Sequence, residues 1–398
     1  MFALELLEEA RKFMHHMLTK VVEYGGSDLF ITADFPPSIK HQGLMKPFGQ
    51  QTLTAEKTKL FAYSLMNEKQ RNEFETELEC NFAITVPGIS RFRVNVFQQQ
   101  LNIGMVIRTI TAEIPNFQKL KLPESLKHVI MEKRGLVLVV GGTGSGKSTS
   151  LAAMIDYRNE NSAGHIITVE DPVEYVHKHK KSMITHREVG VDSHSWQNAL
   201  KNTLRQAPDV ILIGEIRDTE TMEHAIAFAE TGHLCLGTLH SNNANQTLDR
   251  IINFFPEERR NQLLMDLSSN MKAIISQRLV RTQDGKGRRA AIEIMLNTPL
   301  ISDLILKGEF HELKAIMAKS RELGMQTFDQ ALFELYNQGE ISYEEALRNA
   351  DSTNELRLQI KLKSNRQDNA PAGQATQFSM ITEPKTTDKD AEDQSETE

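Results

Sequence analysis

A five-residue apolar run, 136–140, passes directly into Gly141, Gly142, Thr143, Gly144, Ser145, Gly146, Lys147, Ser148 and Thr149. The spacing G-x-x-x-x-G-K-S after a buried-strand run, with the helical stretch SLAAMIDYR behind it, predicts a phosphate-binding loop between a strand and a helix. Glycine lets the loop turn its N–H groups inward without a Cβ in the way, and these groups form a nest for anions. Lys147 adds a point charge for the β- and γ-phosphates, Ser148 a hydroxyl for Mg²⁺, and the helix starting near Thr149 its positive dipole end. The stretch 141–149 therefore reads as the site of a nucleoside triphosphate.

The chain around this loop has 398 residues, enough for two to three domains at about 150 residues each. Residues 2–22 carry apolar positions at helical spacing, and Gly25-Gly26 stop the helix. Strand patterns follow at 28–32, 38–40, 82–86 and 92–97, with a helical segment near 54–76, so 1–111 reads as a small α+β domain. Residues 112–123 carry two prolines and read as a linker or a crossover rather than a core element. From 124 to about 362, apolar strands at 136–140, 165–169, 210–213 and 234–239 alternate with amphipathic helices. This is the pattern of an α/β domain whose mostly parallel sheet is covered on both faces. Its later part, from Pro256 onward, reads as mainly helical. The stretch 363–398 is poor in aromatics and rich in Gln, Thr, Ser, Asp and Glu, and reads as a disordered acidic tail.

Net charge is −7, and from 367 onward eight acids against two lysines put −6 of it in the tail, so the rest is near neutral. That balance, with no basic, aromatic-rich groove, argues against a nucleic-acid partner. The N-terminus places Glu5, Glu8 and Glu9 where a signal peptide carries positive charge, and no stretch reaches membrane-span length; both point to the cytoplasm. Two cysteines, Cys80 and Cys235, exclude a four-cysteine zinc module within one chain.

Turnover of a bound nucleotide needs a group that orients water against the γ-phosphate. Glu215 ends the strand 210–213 at the ligand-binding edge of the sheet and is the candidate general base. The magnesium-holding aspartate usual on such strands is replaced by Gly214. The acids Glu170, Asp171 and Glu174, after the strand 165–169, are the substitutes for holding Mg²⁺, some through water; which of them faces the metal is left open. His240 ends another strand and is placed to contact the γ-phosphate or the water. His233 reads as a helix cap, and His177 and His179 as a solvated face among lysines. Arg91 and Arg93 project to one side of a strand, either toward a phosphate across a domain boundary or simply into solvent.

The motifs GGTGSGKST, ITVEDPVEYVH, TLRQAPDVILIGEIRD, ETGHLCLGTLHSNNA and RIINFFPEERR together resemble the nucleotide-site motifs of the secretion ATPase superfamily, in its type IV pilus retraction branch of PilT/PilU type. The resemblance runs from GGSDLFIT to ELGMQTFDQAL, all but the tail. It implies a PAS-like N-terminal domain before a RecA-like P-loop ATPase domain, and a homo-hexamer that couples ATP hydrolysis with Mg²⁺ to pilus retraction and twitching motility. By the same resemblance Lys147 and Ser148 hold phosphate and Mg²⁺, Glu174 belongs to an acidic box, Glu215 is the catalytic glutamate, His240 lies in a histidine box, and Arg91 and Arg93 stand near the nucleotide. The implied partners are a PilT-type retraction ATPase and the inner-membrane platform protein, which would keep the chain peripheral at that membrane. Where the retraction motors carry AIRNLI, this chain reads Leu300-Ile301-Ser302-Asp303-Leu304-Ile305, as in the accessory PilU-like subgroup. A nucleotide-binding structural adaptor of the retraction complex and a pilus assembly or secretion ATPase are the competing readings; the missing zinc module weighs against the latter.

Overall fold

The computed structural model describes residues 2–41, 44–110, 114–364 and 366; the acidic stretch from 367, residue 111 at the end of the expected first domain and residues 112–113 of the expected linker lie outside them. The chain begins with α1 (Leu4–Glu23), β1 (Asp28–Ile31), β2 (Ser38–His41), β3 (Leu44–Pro47), α2 (Ala55–Leu65), α3 (Glu68–Glu77), β4 (Glu79–Val86), β5 (Ser90–Gln99) and β6 (Asn102–Ile110). Helical spacing in α1 buries Met14, Leu18 and Val21. They pack with the alternate residues Phe92, Val94 and Val96 of β5 on a six-stranded sheet of order β3-β2-β1-β6-β5-β4. The expected single helix over 54–76 is two. Met66 is extended, and Asn67 caps a new helix through a reciprocal box with Gln70, so short polar side chains satisfy the amides that an unbroken helix would have paired internally. β3 and β6 were not foreseen.

The second region comprises α4 (Phe117–Leu120), α5 (Ser125–Ile130), β7 (Gly135–Val140), α6 (Lys147–Asn161), β8 (Gly164–Glu170), β9 (Ser182–Glu188), α7 (Trp196–Thr203), β10 (Val210–Ile213), α8 (Thr219–Glu230), β11 (Leu234–Leu239), α9 (Ala244–Phe254), α10 (Arg260–Asn270), β12 (Met271–Arg281), β13 (Arg288–Leu296), α11 (Pro299–Lys307), α12 (Leu313–Lys319), α13 (Phe328–Asn337), α14 (Tyr343–Asn349) and α15 (Thr353–Lys363). Its sheet has the order β13-β12-β7-β11-β10-β8-β9. All its neighbours run parallel except β13, which is antiparallel to β12. Period-two geometry sends Leu136, Leu138 and Val140 of β7 into one core and Val137 and Val139 into the core on the opposite face. Both faces are covered, as the continuous apolar strands require.

The part after Pro256 is mainly helical, as expected, but it also holds β12 and β13, which extend the sheet and were not expected. Their apolar pattern is interrupted by Ser276, Gln277 and Glu293, which are buried at 2% exposure or less. The expectation that 112–123 is no core element is corrected: Phe117 and Leu122 are buried against α6 and β7, so the proline-bearing segment is packed down.

Candidate functional site

The candidate residues converge at the carboxyl edge of the parallel sheet, where loops leaving β7, β8, β10 and β11 meet. In the loop after β7, Gly144 and Gly146 have φ of +75° and +87°. A Cβ on Gly146 would lie 2.7 Å from Gln277 Nε2, and one on Gly141 would lie 2.5 Å from the Gln277 carbonyl oxygen. Glycine is required at both places. Among the described residues, the amides of Gly144, Gly146, Lys147 and Ser148 donate to no protein acceptor. That is the donor set a polyphosphate at the start of α6 would engage, so the loop fits a nucleotide on its own geometry.

Lys147 Nζ donates to the carbonyls of Gly141 at 2.8 Å and Gly142 at 3.1 Å. Burial lowers its pKa, and the charge of Glu215 opposes that shift. Gln277, on β12 next to β7, braces the loop from below: its Nε2 donates to Ser145 O at 2.8 Å, and its Oε1 accepts from Ser150 Oγ at 2.7 Å. Sequence reasoning missed Gln277. Its one signal was a polar residue inside an apolar run.

Glu215, just past β10, uses both carboxylate oxygens. Oε2 accepts from Arg217 Nε at 2.7 Å, and Oε1 lies 3.2 Å from His240 Nε2 at the end of β11. His240 is shifted down by burial first and by the Lys147 charge second, so at neutral pH it is an uncharged imidazole. Glu215, His240 and Lys147 therefore form one electrostatic cluster. Arg217 is a second residue that sequence reasoning missed, although it stands in the GEIRD segment quoted above.

The three acids after β8 separate. Glu170 is 8% exposed, and its carboxyl is pushed up to about 7 by burial, against hydrogen bonds from Thr168 and the Glu174 amide; the charges of Glu174 and Glu188 add to the rise. Glu170 also explains the glycine at 214, since a Cβ there would sit 3.1 Å from Glu170 Cα and Cγ. Asp171 is exposed and adds its charge to the field at Arg217. Glu174 is exposed, yet with Glu170, Ser148, Thr168, Tyr175 and Thr238 it lines a cavity of about 30 Å³. That space suits a water or two rather than a nucleotide. Tyr175 OH lies 2.9 Å from Thr149 Oγ1, joining the acidic loop to the start of α6. Among the described residues no three His, Cys, Asp or Glu side chains form a metal-ligand set. Magnesium fits here only with Ser148 and phosphate oxygens as direct ligands and the acids acting through water.

Arg91 follows neither of its two readings within the chain. Arg91 Nη2 is 2.9 Å from Glu188 Oε2 at the end of β9, so it is bound to a carboxylate and not directed at the phosphate loop. An exposed Arg93 faces outward on the same strand. The solvated reading of His177 also fails. Its side chain is buried, stacked on His186 at 5.7 Å, with Nδ1 3.9 Å from Asp156. His179 accepts the Ile184 amide, and His233 hydrogen-bonds the Phe228 carbonyl at the end of α8.

The model of the type II/IV secretion system protein family matches residues 5–348. The chain is 62% identical to the type IV pilus ATPase PilU of Pseudomonas aeruginosa over 348 residues, covering 87% of this chain and 91% of that one. It is 42% identical to the type IV pilus retraction ATPase PilT of the same organism, covering 84% and 97%. Among solved structures, the pilus retraction motor PilT with bound ADP superposes with a TM-score of 0.81 at 42% identity, covering 87% and 99%. The ATPase DotB of Legionella pneumophila does so at 0.74 and 25%, covering 88% and 96%.

Proposed function

From the premise that the chain belongs to the type II/IV secretion system protein family and is a type IV pilus ATPase, we propose that it works as a homo-hexameric motor of the pilus machinery, assisting retraction beside a PilT-type ATPase. The observation that carries this reading is the Glu215–His240 contact across the ends of adjacent strands, in the field of Lys147. A base and an uncharged hydrogen-bonding imidazole then stand together at the edge where the γ-phosphate of ATP belongs.

In this reading the free amides of Gly144, Gly146, Lys147 and Ser148 and the Lys147 ammonium bind the phosphates. The Ser148 hydroxyl would hold magnesium directly, and Glu170 and Glu174 would hold it through water, while Asp171 adds its charge at Arg217. Magnesium would supply charge neutralisation to the triphosphate. Glu215 orients a water and takes its proton, while Arg217 fixes the carboxylate's rotamer. His240 hydrogen-bonds the water or the γ-phosphate, so loss of the phosphate is felt at the end of β11. Arg91 and Arg93 are given no catalytic role. Among the described residues no helix is long and apolar enough to cross a membrane, and we place the chain at the inner membrane through the platform protein.

Phosphate release by the purified chain tests the reading. Lys147→Ala and Glu215→Ala should each lower turnover at least about a hundredfold with the fold intact. Unchanged turnover in both variants removes the motor. In cells, normal retraction under load with Glu215→Ala would favour a nucleotide-binding adaptor instead. Mass measurement of the assembly, with and without the PilT-type partner, tests the hexamer.

A further inference from the structure

The acidic loop is held by a strand it does not belong to. Glu170 and Glu188 are paired in register at the ends of β8 and β9, and the Val189 amide donates to Glu170 O at 2.9 Å. Beyond that point, Glu188 Oε2 accepts the Val173 amide at 3.2 Å in the middle of the loop. The same oxygen takes Arg91 Nη2 at 2.9 Å. Arg91 belongs to β5, a strand paired on both sides within the N-terminal sheet. The Glu188 side chain is 5% exposed and that of Arg91 22% exposed. Asp192 Oδ2 accepts the Glu188 amide and steadies the residue from behind.

We propose that Glu188 is a positioning residue that clasps Arg91 of the N-terminal domain and the Val173 amide with one carboxylate oxygen, so that the placement of the N-terminal domain sets the geometry of the loop facing Ser148. The inference rests on the ATPase reading for its consequence, a hydrolytic step that responds to domain placement. The physical basis is the cost of leaving a buried carboxylate without its cation. If the N-terminal domain moves away, Glu188 must find another partner or repack, and the tether at Val173 moves with it. Rigid strands on both sides carry the displacement without absorbing it.

Arg91→Met, Glu188→Gln and the pair together, in the full chain, test the clasp. Glutamine keeps an oxygen for Val173 but removes the charge that holds Arg91. Each single change is expected to lower kcat for ATP about tenfold while KM moves less than about twofold. It should also speed amide exchange at 173–176 about tenfold, and the double variant should be no slower than the worse single one. Arg91→Lys keeps the charge and should retain at least about half of wild-type turnover. Wild-type kcat and exchange in both single variants would overturn the proposal, and so would losses that multiply in the double. A lysine variant as slow as the methionine one would overturn it too. If Arg91→Met does not fold, Glu188→Gln decides by the same two readouts. A wild-type chain that releases no phosphate counts against the ATPase reading alone, since exchange at 173–176 still decides the clasp.

Discussion

In residues 141–148 the chain's own backbone does most of the holding: positive-φ glycines, unpaired amides and a lysine folded onto carbonyls of its own loop. In residues 170–174 almost nothing is local. That loop is held by Glu188 at the end of β9 and Val189 just past it, by the Tyr175–Thr149 hydroxyl contact and, through Glu188, by Arg91 from another domain. The two loops face one sheet edge and, in the proposed motor, serve one nucleotide, but a phosphate cradle can be built from one short segment. A carboxylate kept buried beside it has to be assembled from several.

The sharpest way to break this contrast is Gly146→Val. A β-branched residue at φ +87°, with its Cβ 2.7 Å from Gln277 Nε2, should destroy the cradle. Affinity for a fluorescent ATP analogue is expected to fall about a thousandfold, roughly 4 kcal/mol. Binding within threefold of wild type would mean that the loop's own geometry is dispensable.

Next is Glu293, buried at 2% exposure, whose carboxyl is pushed up to about 7 by burial; it accepts the Ala244 amide and the Ser276 hydroxyl. A carboxyl with its folded pKa raised keeps its proton in the fold after the unfolded chain has lost it. Its contribution is whole below about 4.5 and is lost as pH rises through about 7. Glu293→Gln keeps the acceptor and removes that loss. The variant should match wild type near pH 4 and exceed it at pH 8 by up to about 3 kcal/mol in denaturant unfolding. Equal stability at both pH values would show that the site holds no proton.

Gln277→Ala should cost about 2 kcal/mol by orphaning Ser145 O and Ser150 Oγ. Nucleotide affinity should weaken with it, about tenfold. A loss of stability with affinity intact would make β12 a support for the sheet alone, and the cradle more self-sufficient than the geometry implies.

Legibility from sequence follows the same division. The phosphate loop, the four central strands and the ends of β10 and β11 could be read because periodicity and spacing encode them locally. The split of 54–76 into two helices was signalled only by Asn67 and Gln70, whose capping role depends on backbone conformation. Arg91 could be placed on an outward face by alternation, but its partner is 97 residues away, and nothing in either segment announces the other. Gln277 and Glu293 are polar residues in strands, and the same hydrogen-bonding groups that reach the phosphate loop and the start of α9 made β12 and β13 harder to recognise. His177 sits among lysines in sequence and is buried in the fold, because charged neighbours in an extended loop point elsewhere.

The smallest effect is also the most discriminating, because Tyr175→Phe removes a single oxygen. The Tyr175–Thr149 contact, 2.9 Å long, is a direct link between the acidic loop and the first turn of α6. Its loss should cost about 1 kcal/mol at most. If the two loops are separately held, kcat should drop a few-fold with KM for ATP unchanged, since the amides and Lys147 that bind phosphate are untouched. An equal change in KM would mean that the phosphate loop depends on the acidic loop for its own shape. The division between a self-held cradle and an assembled carboxylate would then give way to one cooperative unit spanning β7 to β9.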